Sequence, residues 1–99
     1  MAAKIVEARV VAKSNITLAT ITVAHGHFTL VGTATDQSVQ VPTNDLGFLR
    51  FVFELNTDVF GVGYEFTLTE VGKSTPTHKI TSVTDAQGFS EDQGNVLFQ

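Results

Sequence analysis

Cysteine is absent from all 99 residues. That excludes disulfides, thiolate metal sites and cysteine nucleophiles, and leaves the fold to be held by packing or by contact with neighbours. Tryptophan is also absent and tyrosine occurs once, so the chain is short of the exposed aromatic platforms on which sugar-binding modules rely. Charged residues amount to only 16%, the net charge is −4, and the six lysines and arginines are scattered. No basic stripe of the kind a phosphate backbone requires can be drawn from them, and nucleic acid is not an expected partner. The hydrophobic share of 42% is too high for a disordered chain, yet no apolar run approaches the roughly 20 residues of a spanning helix, so a membrane is not expected either. No HExxH sequence, nucleophile elbow or phosphate-cradling glycine loop occurs, so neither an enzyme activity nor a cofactor is expected. Met1-Ala2-Ala3-Lys4 lacks the apolar core of a secretory signal. The expectation is a chain kept inside the cell that makes it, or a piece of a larger protein.

What is present is strand signal. Residues 4–13 alternate, with Val6, Ala8, Val10 and Ala12 on one face. After Ser14-Asn15, residues 16–23 are β-branched, and a third strand is expected over 28–35 beyond His25-Gly26-His27. A short strand at 39–41 closes at Pro42. Asn44-Asp45-Leu46-Gly47 then signals a turn into Phe48-Leu49-Arg50-Phe51-Val52-Phe53-Glu54-Leu55, the most apolar and aromatic stretch of the chain. Residues 64–71 show the cleanest alternation, 77–84 form a further strand, Asp85-Ala86-Gln87-Gly88 opens a long polar connection, and 95–99 end the chain as a short strand. Seven or eight short strands without a helical period define one all-β domain over 1–99, an antiparallel β-sandwich or small barrel of Ig-like or jelly-roll-like type. No internal repeat is evident.

The central stretch is apolar on both sides. Leu49, Phe51, Phe53 and Leu55 share one face and suit a core, whereas Phe48 and Val52 point the other way and need a second layer or another subunit. With Val59 and Phe60 they are the candidate interface residues. His25 and His27, with His78, are the only histidines and the only conceivable imidazole ligand set. Alternating histidines share a side on any extended backbone, so a solvent-exposed turn is the expected reading and no metal is assigned. Asp85, Glu91 and Asp92 are acidic but fit no calcium-loop spacing. Glu70 continues the face of Tyr64, Phe66 and Leu68 toward the core, where a carboxylate needs a partner or a proton.

Gly26-His27-Phe28-Thr29-Leu30, Thr43-Asn44-Asp45-Leu46-Gly47 and Gly63-Tyr64-Glu65-Phe66-Thr67-Leu68-Thr69-Glu70-Val71 resemble the order of landmarks in the Ig-like pilin and adhesin domains of Gram-positive surface proteins. The resemblance covers about the middle half of the chain. It implies an isopeptide bond in which Glu70 is the catalytic acid, Asn95 the acceptor and Lys4 or Lys13 the nucleophile. Lys4 is in phase with Val6, Ala8 and Val10, while Lys13 lies on the polar face of its strand. The ending Val96-Leu97-Phe98-Gln99 resembles the residues left by a picornaviral 3C-type protease, but Gly94-Asn95 precede it, and the tail reads as native.

Two functions are expected. The first is a structural assembly protein that contacts itself or a larger shell, with general resemblance to small all-β bacteriophage virion proteins such as capsid decoration or tail proteins; it would be made in the host cytoplasm and end in the virion. The alternative is an Ig-like domain of an adhesin or pilin at the bacterial cell surface.

Overall fold

The structure, a computed structural model, describes residues 2–99. Its elements in chain order are β1 (Ile5–Ala12), β2 (Ile16–Val23), β3 (Gly26–Thr29), β4 (Val31–Gly32), β5 (Asp36–Pro42), β6 (Phe48–Thr57), β7 (Gly63–Glu70), β8 (His78–Val83) and β9 (Phe89–Leu97). Helix is absent among the described residues, so none is long and apolar enough to cross a membrane. Strands β4-β5-β1-β7-β8 form a five-stranded sheet and β3-β2-β6-β9 a four-stranded one, with every pairing antiparallel. The inner faces of the two sheets enclose a single core, a sandwich-like arrangement.

The stretch at 48–57 is the longest strand and lies inside its sheet, between β2 and β9. As expected from alternation, Leu49, Phe51, Phe53 and Leu55 are buried. Phe53 stacks on Phe66 of β7 with ring centroids 3.9 Å apart and planes 11° from parallel, and Phe51 meets the same ring at 5.9 Å. Val6, Ala8 and Val10 of β1 and Ala19 and Ile21 of β2 complete the centre. The small alanines let the sheets approach around the aromatic rings.

Nine strands stand where seven or eight are expected, because residues 28–35 do not form one strand. Leu30, buried at 2% exposure, turns the chain from the four-stranded sheet into the five-stranded one, so its two flanks become β3 and β4. A second difference is at the C-terminal end. The polar residues after Gly88 are not a long connection; Ser90, Glu91, Asp92 and Gln93 all belong to β9. Their polarity hid the strand, since β9 is an edge and even its inward positions meet polar partners. Asp92 Oδ2 lies 2.9 Å from His78 Nε2 across the sheets, and Ser90 bonds the Tyr64 hydroxyl.

β6 and β9 begin with the same device. In Asn44-Asp45-Leu46-Gly47-Phe48, Asn44 Oδ1 accepts from Leu46 N and Phe48 N at 2.9 Å each, and Gly47 N donates to Asn44 O at 3.0 Å. In Asp85-Ala86-Gln87-Gly88-Phe89, Asp85 Oδ1 accepts from Gln87 N and Phe89 N at 2.9 Å each, and Gly88 N donates to Asp85 O at 3.0 Å. These are Asx turns ending in a left-handed residue, with φ of 88° at Gly47 and 74° at Gly88. A Cβ there would lie 2.5 Å from Phe98 O and 2.6 Å from Thr57 O respectively. Both positions therefore require glycine, and each ties the start of one strand to the end of the other.

The aromatic contact between sheets should dominate stability. Phe66→Ala is expected to cost about 3–5 kcal/mol, the usual range for emptying an aromatic core position, as read by denaturant unfolding.

Candidate functional site

The two outward faces are built differently. On the five-stranded sheet, most charges are paired within the chain, Glu7 being the exception. Arg9 Nε and Nη2 donate to the two carboxylate oxygens of Asp36 at 2.9 and 2.6 Å, and Lys79 lies 3.5 Å from Glu65. At one end of that sheet Lys4 and Lys73 approach Glu70 at 3.5 and 3.3 Å. The hydrogen bond from Arg9 holds the Asp36 carboxyl below the usual carboxylate range, against the opposing effect of desolvation and with the guanidinium charge adding to it; the same bond raises Arg9.

On the four-stranded sheet, alternation and register set the outward residues in rows. Phe48 lies opposite Leu97, Arg50 opposite Asn95, Val52 between Thr22 and Gln93, Glu54 opposite Glu91, and Asn56 opposite Phe89. Phe48 is 37% exposed and Val52 half-buried, so the face left over by the core is open to solvent. Among the described residues, no ion pair includes Arg50, Glu54 or Glu91. Glu54 and Glu91 are directly opposed, an arrangement unfavourable for two like charges. Shallow depressions flank Arg50, walled by Val23, Val52 and Asn95 on one side and by Phe48 and His25 on the other.

Val59 and Phe60 do not share that face. They sit in the β6–β7 loop, 51% and 74% exposed, beyond the far end of β6 from Phe48, about 30 Å away at strand rise. The four candidate interface residues thus make two surfaces. The loop tip stands on a fixed base: Thr57 Oγ1 donates to Val59 O at 2.8 Å, Val62 N donates to Thr84 Oγ1 at 2.8 Å, and Asp58 N donates to Asn15 O at 3.0 Å. Leu46, 61% exposed in the opposite turn, and Leu97 are further apolar outward residues not anticipated from the sequence. Leu97 is in phase with Phe89 by a period of two, a signal masked by the polar residues between them.

The other candidates are dispersed. His25 lies in the β2–β3 turn, His27 points outward with Nδ1 2.7 Å from Thr22 Oγ1, and His78 sits between the sheets against Phe51 and Asp92. No group of three His, Asp or Glu suited to a metal ion occurs among the described residues. Asp85 is occupied in its turn, Glu91 faces out and Asp92 faces in, so these three do not converge. Lys4 and Glu70 are in contact and the carboxylate is 17% exposed, but Asn95 projects from the outward face of the other sheet and does not meet them. Lys13 lies along Gly63 at the opposite end of β1 from Glu70.

Family models, curated proteins and solved structures returned no match to this chain.

The Arg9–Asp36 pair has a defined pH signature. Because the folded-state carboxyl is depressed, its contribution is present above the unfolded value of about 3.9 and is lost as pH falls through the lower folded value. The pair is nearly half exposed, so solvent screening holds that contribution below about 1 kcal/mol. Asp36→Asn should destabilise slightly at neutral pH and match the unmodified chain at the acid end of a denaturation series.

Proposed function

We propose that this chain is a structural assembly protein, a β-sandwich of Ig-like or jelly-roll-like type that works by contact with copies of itself and with a larger protein shell. A bacteriophage capsid decoration or tail protein is the concrete setting, with the virion as its destination and neither nucleic acid nor membrane as its partner. The observation that carries the reading is the contrast between the outward faces. Both faces expose apolar side chains, but one sheet pairs Arg9 with Asp36 and Lys79 with Glu65 and leaves only Glu7 without an ion pair, whereas the other, among the described residues, leaves Arg50, Glu54 and Glu91 unpaired among Phe48, Val52 and Leu97. Lasting interfaces combine such apolar centres with a few complementary charges. Phe60, held out on a rigid loop at the far end, supplies a second contact, and two separate contacts per subunit are what extended arrays require.

Val52→Asp tests this reading. A charge placed at the centre of the outward face is expected to dissociate the assembly while the far-ultraviolet circular dichroism and the unfolding midpoint stay close to those of the unmodified chain. If the monomer unfolds instead, Val52 belongs to the core and the face is not an interface. Phe60→Ser, on a different surface, should lower the largest assembly size without abolishing association.

The contact between Lys4 and Glu70 favours a second reading, a domain of a surface adhesin or pilin carrying an isopeptide bond. The outward placement of Asn95 opposes that bond. The intact mass is expected to equal that of the unmodified sequence, and a deficit of one ammonia would transfer support to the adhesin reading.

A further inference from the structure

β9 is one edge of the four-stranded sheet, and two bonds settle where its backbone groups point. Thr57 N donates to Gly88 O and Phe98 N donates to Gly47 O, each at 2.8 Å, just beyond the ends of a register that runs from Phe48 opposite Leu97 to Asn56 opposite Phe89. In an antiparallel ladder a residue sends its N–H and C=O to the same side, and successive residues alternate. The even-numbered residues of β9 therefore bond to β6, and the odd-numbered ones face the open edge. Phe89 is already closed off, since Asp85 Oδ1 accepts its N–H and Asp85 N donates to its carbonyl. Glu91, Gln93, Asn95 and Leu97 present free groups.

Such an edge is ordinarily blunted by proline, by charged side chains, above all lysine or one pointing inward, by a bulge or by shortness. β9 has nine residues, no proline, no lysine and no break in its register with β6; of its two charges, Asp92 points inward and is held by His78, and Glu91 is the one a pairing strand must accommodate. The other edges are handled otherwise: β4 has two residues, β3 has four, and β8 carries Lys79.

We propose that β9 pairs antiparallel with β9 of a second copy, with Gln93 on the two-fold axis, so that two four-stranded sheets become one of eight strands. The inference rests on the assembly reading and names one of its contacts. Bonding the free groups requires odd residues opposite odd residues, and the side chains then choose among the possible registers. With Gln93 opposite Gln93, Glu91 lies opposite Asn95 of the second copy. Behind that asparagine, on the second copy's β6, stands its Arg50. An arginine without an ion-pair partner among the described residues of its own chain can reach across the short asparagine to a glutamate that otherwise faces Glu54. At the ends of the strand, Phe89 meets Leu97 of the second copy, with its Phe48 in the same row. Moving the axis to Asp92 opposes two aspartates, and moving it to Gly94 sets Glu91 against Leu97. Only the Gln93 register joins apolar to apolar and acid to base.

The absence of native cysteine lets single thiols report the register. In the full-length chain, Gln93→Cys places two thiols on the axis, where hydrogen-bonded Cα atoms lie about 5.5 Å apart, within disulfide reach. Glu91→Cys places its two thiols about 13 Å apart, out of reach. Under mild oxidation Q93C is expected to become a covalent dimer, E91C and N95C alone to stay uncrosslinked, and a mixture of E91C with N95C to dimerise. Gln93→Pro removes an edge-facing N–H and no bond to β6, so it should abolish pairing while leaving the monomer folded. Oxidised Q93C that remains monomeric, or equal self-linking of E91C, N95C and Q93C, overturns the proposal. If Q93C fails to link while the unmodified chain still associates, assembly stands and uses another surface. If the unmodified chain does not associate at all, both readings fall.

Discussion

Phe53 stacked on Phe66 decides which side of β6 is inside. Side chains on a strand alternate with a period of two, so a shift of one residue would carry Leu49, Phe51, Phe53 and Leu55 to solvent and draw Phe48, Arg50, Val52 and Glu54 into the core. Burying Arg50 and Glu54 without partners would cost several kcal/mol, which makes the observed register the only tenable one. Every outward position on the four-stranded sheet follows from that choice. The surface open to a partner is thus the other side of the same constraint that builds the core.

The two Asx turns hold that register at both ends. Gly47 receives the Phe98 amide and Gly88 offers its carbonyl to Thr57, so β6 and β9 cannot slide past each other without breaking a turn. Phe98, 1% exposed, adds a side chain to the core just after β9 ends. The edge strand is therefore rigidly placed although one of its sides is unpaired. A fixed edge loses little conformational entropy on pairing, which favours strand addition over less ordered contacts.

The all-β class, the inward face of β6 and the inward face of β1 were legible because alternation over apolar residues is a direct record of a half-buried strand. The strand count was not, because Leu30 looks like any other residue of an apolar run and only the tertiary fold makes it a corner. β9 was hidden because its inward positions carry Ser90 and Asp92, whose partners Tyr64 and His78 are distant in sequence. The pattern shared by Asn44-x-x-Gly47-Phe48 and Asp85-x-x-Gly88-Phe89 is too short to stand out as an internal repeat and becomes meaningful only when both copies are found making the same bonds. Of the site, Phe48 and Val52 could be placed outward from the pattern alone. The separation of Val59 and Phe60 from them could not, since it depends on the β6–β7 loop carrying the chain past the end of the sheet.

Assembly also gives a reason for features that a solitary domain would not favour: an apolar aromatic at a loop tip, opposed glutamates on the same face as an arginine without an ion pair among the described residues, and a long edge free of proline, lysine and bulge. Sedimentation of the unmodified chain over a concentration series tests this most directly. A mass that rises with concentration through multiples of 10.6 kDa is the result required. A constant 10.6 kDa up to the highest soluble concentration would contradict it.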